Sequence, residues 1–228
     1  SQENKLTTNK STYFQLDYFQ GNIVPQDGTK HLIKGHPKGV LFSWNTRTFG
    51  EKLWEQYFNY PDVGFSFSYQ DFENKSLGKL YALYAHYNFY LLNRKLIFST
   101  GIGLAYNTNP YDKVSNNKNV SFGSYLNSSS YIKLFYQREN IFQNIGFQAG
   151  LTVIHASNSS FKAPNNGINT YGINVGLNYD LNNKPQKFIK TTDTINYKKP
   201  IHFNALLLAG VNESDYIGTG IKPFMVFS

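Results

Sequence analysis

Apolar and polar residues alternate with a period of two along most of the chain, which is the pattern of β-strands. In the segment 79–91 (KLYALYAHYNFYL), every odd position from Tyr81 to Leu91 carries an apolar or aromatic side chain, whereas the even positions are mixed. This alternation predicts an all-β protein of about eight to ten strands, and no segment predicts a long helix. The candidate strands lie near 12–24, 38–49, 62–70, 79–91, 96–107, 129–138, 142–157, 168–181, 201–212 and 220–228.

The two faces of these strands differ in a way that is informative about the environment. Along 168–181, the large residues Tyr171, Ile173 and Val175 alternate with Gly172 and Asn174. A soluble sandwich or lipocalin-like barrel also alternates, but it needs its large apolar side chains inside. Large apolar residues opposed by small and polar ones predict an antiparallel up-and-down transmembrane β-barrel, apolar outside and polar inside. Closure of the barrel would leave no unpaired strand edge in lipid.

The connections between the candidate strands suggest an orientation. The turns near 93–94 and 139–140 are short, as periplasmic turns are, whereas 107–128 and 158–167 are longer, as external loops are. The lysine-rich segment 182–200 would then be a solvated periplasmic insertion. We expect one barrel domain over 1–228 with a flexible tail at 1–11. The alternation continues into the final residues PFMVFS, which leaves open whether the barrel has further strands.

Composition narrows the class of protein further. Aromatic residues make up 17% and charged residues 16% of the chain, which excludes a disordered protein. The net charge of +8 fits an anionic membrane surface, and nucleic acid is not an expected partner because the arginines are few and scattered. With no cysteine, a thiolate metal site and a cysteine nucleophile are excluded. The histidines have no partners at metal-ligand spacing, so we expect neither a metal nor a cofactor.

One segment places reactive side chains together on the lipid-facing side. In NIGFQAGLTVIHAS, the outward row runs through Val153 to His155 and Ser157, whose Cα atoms are about 7 Å apart in a strand. The next strand runs back antiparallel, and its outward row begins with Asn169. These three residues should cluster on the outer wall at the external rim. Two interpretations are open: a base and nucleophile pair, or polar residues at headgroup level where the apolar band ends at Val153.

The segments HASN and PNNGIN resemble the His-x-Ser-Asn…Pro-Asn-x-Gly-Ile-Glu signature of the lipid A 3-O-deacylase (PagL-like, acyloxyacyl hydrolase) family. The segments GHPKG, STGIGLAY and AGVNESD, with the longer stretch 47–69, also resemble members from Bacteroidota. The resemblance implies a barrel in the Gram-negative outer membrane. It also implies a serine-esterase site on the outer wall that faces lipid A, lipopolysaccharide or another outer-leaflet lipid.

Carried over by position, the resemblance implies that Ser157 is the nucleophile and His155 its general base. The glutamate of the family signature falls on Asn169, which can orient the imidazole but supplies no negative charge. Glu213 or Asp215 at the same rim could supply the missing carboxylate.

Two asparagines are candidate oxyanion donors by position. They are Asn158, directly after the nucleophile, and Asn165. Turn formation in an Asn-rich loop is an equally open interpretation of both.

The sequence therefore predicts an outer-membrane serine esterase that removes an ester-linked acyl chain from lipid A or a related glycolipid. The alternative is a non-catalytic barrel that serves as a structural subunit of an outer-membrane protein complex, which the neutral Asn169 would favour. A small-solute pore is a weaker third possibility, because the tyrosines of the chain would fill so narrow a barrel.

Overall fold

In the computed structural model, residues 11–181, 187–190, 203–214 and 216–227 are described. The strands are β1 (Thr12–Ile23), β2 (Lys38–Thr46), β3 (Asp62–Asp71), β4 (Lys79–Leu91), β5 (Leu96–Asn107), β6 (Leu126–Phe142), β7 (Ile145–Ser157), β8 (Ile168–Asp180), β9 (Leu207–Glu213) and β10 (Ile221–Phe227). A short α-helix, α1 (Leu53–Tyr57), and a 3-10 turn (Lys30–Leu32) lie in the connections. No helix in the described ranges is long and apolar enough to cross a membrane.

Strands β1 to β8 form a closed antiparallel barrel in which each strand pairs with its neighbours in sequence. The barrel closes between β1 and β8, with Leu16 opposite Leu177. The predicted up-and-down barrel is therefore confirmed, with eight strands. The two last candidate segments do form strands, but β9 and β10 pair only with each other. They cannot extend the barrel because both edges of β1 and β8 are already paired.

The wall of the barrel is apolar on the outside and polar on the inside, as the alternation predicts. Outward side chains such as Leu83 and Ile102 are 65% and 72% exposed. Inward side chains such as Asn45, Ser68 and Gln148 are fully buried. An exposed apolar wall of this kind is stable only in lipid.

The lumen is filled by side chains. Asp17 forms an ion pair with Lys133 at 2.6 Å, and Arg47 forms one with Asp180 at 2.8 Å. Towards one end, apolar residues contributed by the connecting loops pack over the polar layer, among them Leu32, Phe72, Leu77 and Phe122. A lumen packed in this way gives no support to a solute pore.

The connections at the two ends of the barrel are unequal. One end carries the short turns 92–95 and 143–144, together with the connection 47–61 that contains α1. The opposite end carries the loops 24–37, 72–78, 108–125 and 158–167. Strand β7 ends and β8 begins at this long-loop end, so the candidate site residues predicted from the sequence lie here.

Part of the predicted organisation lies outside the described residues. This holds for most of the predicted N-terminal tail, for 182–186 and 191–200 of the lysine-rich segment, for 201–202 of the candidate strand 201–212, and for Asp215. The assignment of the whole chain to one domain stays a prediction.

Candidate active site on the outer wall

The three residues singled out in the sequence lie together on the outer wall. His155 and Ser157 are at the end of β7, and Asn169 is at the start of β8, directly opposite His155 in the strand register. All three side chains are partly exposed, whereas the alternating neighbours Ala156 and Ile168 are buried. The period of two thus directs the three polar side chains outward at the long-loop end of the barrel.

The side chains form a continuous hydrogen-bonded series. Asn169 Oδ1 lies 2.8 Å from His155 Nδ1, and His155 Nε2 lies 3.2 Å from Ser157 Oγ. The atom of Asn169 assigned to this contact is the amide oxygen, which can only accept a hydrogen bond. The hydrogen of the neutral imidazole is therefore on Nδ1, and Nε2 keeps its lone pair. The imidazole is therefore in the tautomer that can accept the proton of the Ser157 hydroxyl.

A row of serines on β6 extends the polar surface on the other side of His155. Ser128 is opposite Ser157 and Ser130 is opposite His155 in the register. The Ser128 hydroxyl donates to the main-chain carbonyl of Ser157 at 3.0 Å and lies 2.9 Å from Ser159 Oγ. Neither serine is among the residues predicted for the site from the sequence, although their alternation in LNSSSY places them on the outward face.

The loop 158–167 is ordered by its asparagines. The backbone N–H of Asn158 donates to Asn165 Oδ1 at 2.7 Å, and Asn158 Nδ2 donates to the carbonyl of Lys162 at 2.5 Å. Phe161 N–H donates to the carbonyl of Asn158 at 3.0 Å and closes a tight turn. These are the bonds of a turn, so an oxyanion role for Asn158 and Asn165 stays a prediction.

No carboxylate is bonded to His155 among the described residues. Asp180 is at the opposite end of β8 and pairs with Arg47 inside the lumen. Glu213 does reach the long-loop rim, but its carboxylate accepts hydrogen bonds from the backbone N–H groups of Ala163 and two glycines. The partner that orients His155 is thus Asn169.

The polar group formed by His155, Ser157 and Asn169 lies at the long-loop edge of the apolar outer surface. Leu151 and Ile173 are opposite each other, four register positions from the pair His155 and Asn169, and they are 60% and 65% exposed. In the described part of the chain, no three His, Cys, Asp or Glu side chains are grouped so as to hold a metal ion.

Comparison with known proteins gives one family. The profile of the lipid A 3-O-deacylase (PagL) family matches residues 38–178, which include β2 to β7 and nearly all of β8. A search of curated proteins finds no match.

Two of the solved structures that match this chain are outer-membrane proteins, both at low sequence identity. The outer-membrane enzyme PagL is similar at 18% identity with a TM-score of 0.45, covering 71% of this chain and 97% of that chain. The outer-membrane protein Ail of Yersinia pestis, solved in a phospholipid bilayer nanodisc, is similar at 16% identity with a TM-score of 0.40, covering 76% of this chain and all of that chain.

Proposed function

Because this chain belongs to the lipid A 3-O-deacylase (PagL) family, we propose that it is a serine esterase that removes an ester-linked acyl chain from lipid A or a related outer-leaflet glycolipid. The protein is a β-barrel of the Gram-negative outer membrane, so its apolar wall faces lipid. The observation that carries the proposal is the series Ser157–His155–Asn169 on this wall. Polar groups on a lipid-facing wall are costly unless they serve a function or reach the interface.

The first half of the reaction forms an acyl-enzyme. Ser157 Oγ attacks the carbonyl carbon of the ester while His155 Nε2 takes the hydroxyl proton. The tetrahedral intermediate collapses as the bond between the acyl carbon and the sugar oxygen breaks. His155 returns the proton to that oxygen, and the deacylated sugar leaves with a free hydroxyl group.

The second half releases the fatty acid. His155 Nε2 takes a proton from a water molecule, which attacks the acyl carbon of the ester on Ser157. Collapse of the second tetrahedral intermediate breaks the bond to Ser157 Oγ, which regains its proton from His155. Throughout, Asn169 holds the imidazole ring in place by accepting from Nδ1–H, but it does not offset the positive charge on the imidazolium.

The proposed oxyanion donors are Asn158 and Asn165, which belong to the loop that follows the nucleophile. Asn158 Nδ2 donates one of its two hydrogens to the carbonyl of Lys162, so its second hydrogen is the one that it can offer to the developing oxyanion. Lys162 is exposed on the same loop, and it could engage a phosphate group of the lipid as a point charge.

The proposal is tested by mass spectrometry of lipid A from cells that express the wild type or Ser157→Ala. Loss of the mass of one acyl chain with the wild type alone would support the esterase. Ser124→Ala, in the external loop 108–125, is the matched control and should behave as the wild type. Heat-dependent gel mobility would show that each variant is folded. Unchanged lipid A with folded wild type would refute hydrolysis of this substrate.

The second candidate function is a non-catalytic barrel within an outer-membrane protein complex. The neutral Asn169 favours it, since the imidazolium has no carboxylate partner in the described part of the chain. A stable protein partner that co-purifies with a barrel inert towards lipid A would select this alternative.

A further inference from the structure

Glu213 differs from the other described residues of the β9–β10 hairpin in its burial. It is buried at the end of β9, whereas the remaining residues of β9 and β10 are exposed or half-buried and mostly apolar. A carboxylate in such a position requires hydrogen-bond donors, because burial of an unpaired charge is very unfavourable. The donors that surround Glu213 come from two separate parts of the chain.

The carboxylate joins the hairpin to the loop 158–167. Glu213 Oε2 accepts from the N–H of Ala163 at 2.8 Å, while Oε1 accepts from Gly218 and Gly220 at 3.0 and 3.2 Å. The backbone N–H of Glu213 also donates to the carbonyl of Ser160 at 3.0 Å. The bond from Ala163, followed by those from the two glycines, lowers the pKa of Glu213 and keeps it charged.

A short path of hydrogen bonds leads from these contacts to the nucleophile. Lys162, which precedes Ala163, accepts from Asn158 Nδ2, and Phe161 donates to the carbonyl of Asn158. Asn158 directly follows Ser157 in the chain. Displacement of the half-loop 159–164 would therefore remove two of the bonds that fix the backbone just after Ser157.

The other half of the loop is held independently. The N–H groups of Asn166 and Gly167 donate to the carbonyls of Val120 and Ser121 in the loop 108–125, both at 3.2 Å. Loss of the Glu213 contacts should thus free the first half of the loop 158–167 and leave its second half in place.

We propose that Glu213 is a positioning residue of the esterase site, which fixes the β9–β10 hairpin on the loop 158–167 and thereby orders the chain after the nucleophile. This role rests on the proposed function. It differs from the substitute triad carboxylate considered from the sequence, because Glu213 acts on the backbone of the loop and has no contact with His155.

Hydrogen exchange tests the contact without need of catalysis. In a Ser157→Ala background in detergent, Glu213→Ala should raise the exchange rate of the backbone amides in 158–163 about tenfold or more and leave those of 166–167 unchanged. Lys222→Gln changes one charge on β10 without contact with the loop, and it should leave both segments unchanged. Equal exchange of the amides in 158–163 with and without the Glu213 carboxylate would overturn the proposal.

Kinetics on purified lipid A test the positioning role. Glu213→Ala should lower kcat about tenfold with little change in KM, since the loop orders the nucleophile rather than the bound acyl chain. Glu213→Gln, which keeps one acceptor oxygen, should recover part of the loss. Faster exchange with unaltered kcat would overturn the positioning role. Absence of hydrolysis by the wild type would instead overturn the proposed esterase function. The exchange data would in that case still show whether Glu213 holds the loop 158–167.

Discussion

Replacement of Asn169 by aspartate should increase the rate of ester hydrolysis. The aspartate is isosteric with asparagine, so its oxygen can occupy the position 2.8 Å from His155 Nδ1. A hydrogen bond to a charged group contributes about 1.5–3 kcal/mol, compared with about 0.5–1.5 kcal/mol for a neutral one. The difference of about 1–1.5 kcal/mol is gained mainly when His155 becomes an imidazolium, which is in the transition state. Since about 1.4 kcal/mol corresponds to a factor of ten, kcat should rise roughly five- to tenfold.

The measurement is the rate of fatty-acid release from lipid A by the purified Asn169→Asp protein in detergent. Asn22→Asp is the matched control, because Asn22 lies at the same rim and contacts His36 rather than His155. It should leave kcat unchanged. Asn169→Ala should lower kcat strongly, since nothing would then select the tautomer of the imidazole. A folded Asn169→Asp protein with equal or lower kcat would refute the role assigned to this residue.

Two further substitutions test the site loop and the lumen. Gly167→Ala should lower stability by about 1–2 kcal/mol because its φ of +64° is unfavourable for L-residues, and it should lower kcat because the new Cβ would lie 3.2 Å from Ser157 Cβ. Gly28→Ala is the control: Gly28 also has a positive φ, but its new Cβ would approach only the side-chain amide of Asn166, so kcat should change little. Equal losses of kcat in the two variants would contradict this expectation. Lys133→Met should destabilise the barrel by about 3–5 kcal/mol in urea unfolding, because it leaves the charge of Asp17 buried without its partner. The double variant with Asp17→Asn should recover most of that loss, and failure to do so would show that packing of Lys133 is what matters.

The sequence by itself determined the strands, the face that each presents to lipid and the outward direction of His155 and Ser157. These features follow from a period of two, which is local to each strand and needs no knowledge of its neighbours. The family signature in HASN and PNNGIN is also local. For this reason the bounds of β4, β5 and β8 could be predicted to within one residue.

The tertiary structure alone decided what depends on pairing between distant segments. Alternation identifies ten strands but not which edges meet, so only the β1–β8 pairing shows that the barrel closes at eight. The register then sets Asn169 opposite His155 and Ser128 opposite Ser157. Glu213 contacts the loop 158–167 by accepting a hydrogen bond from a backbone N–H group about fifty positions away. Every residue except proline has such an N–H group, so the donor is not marked by any particular side chain. A side-chain pattern therefore contains no signal for it.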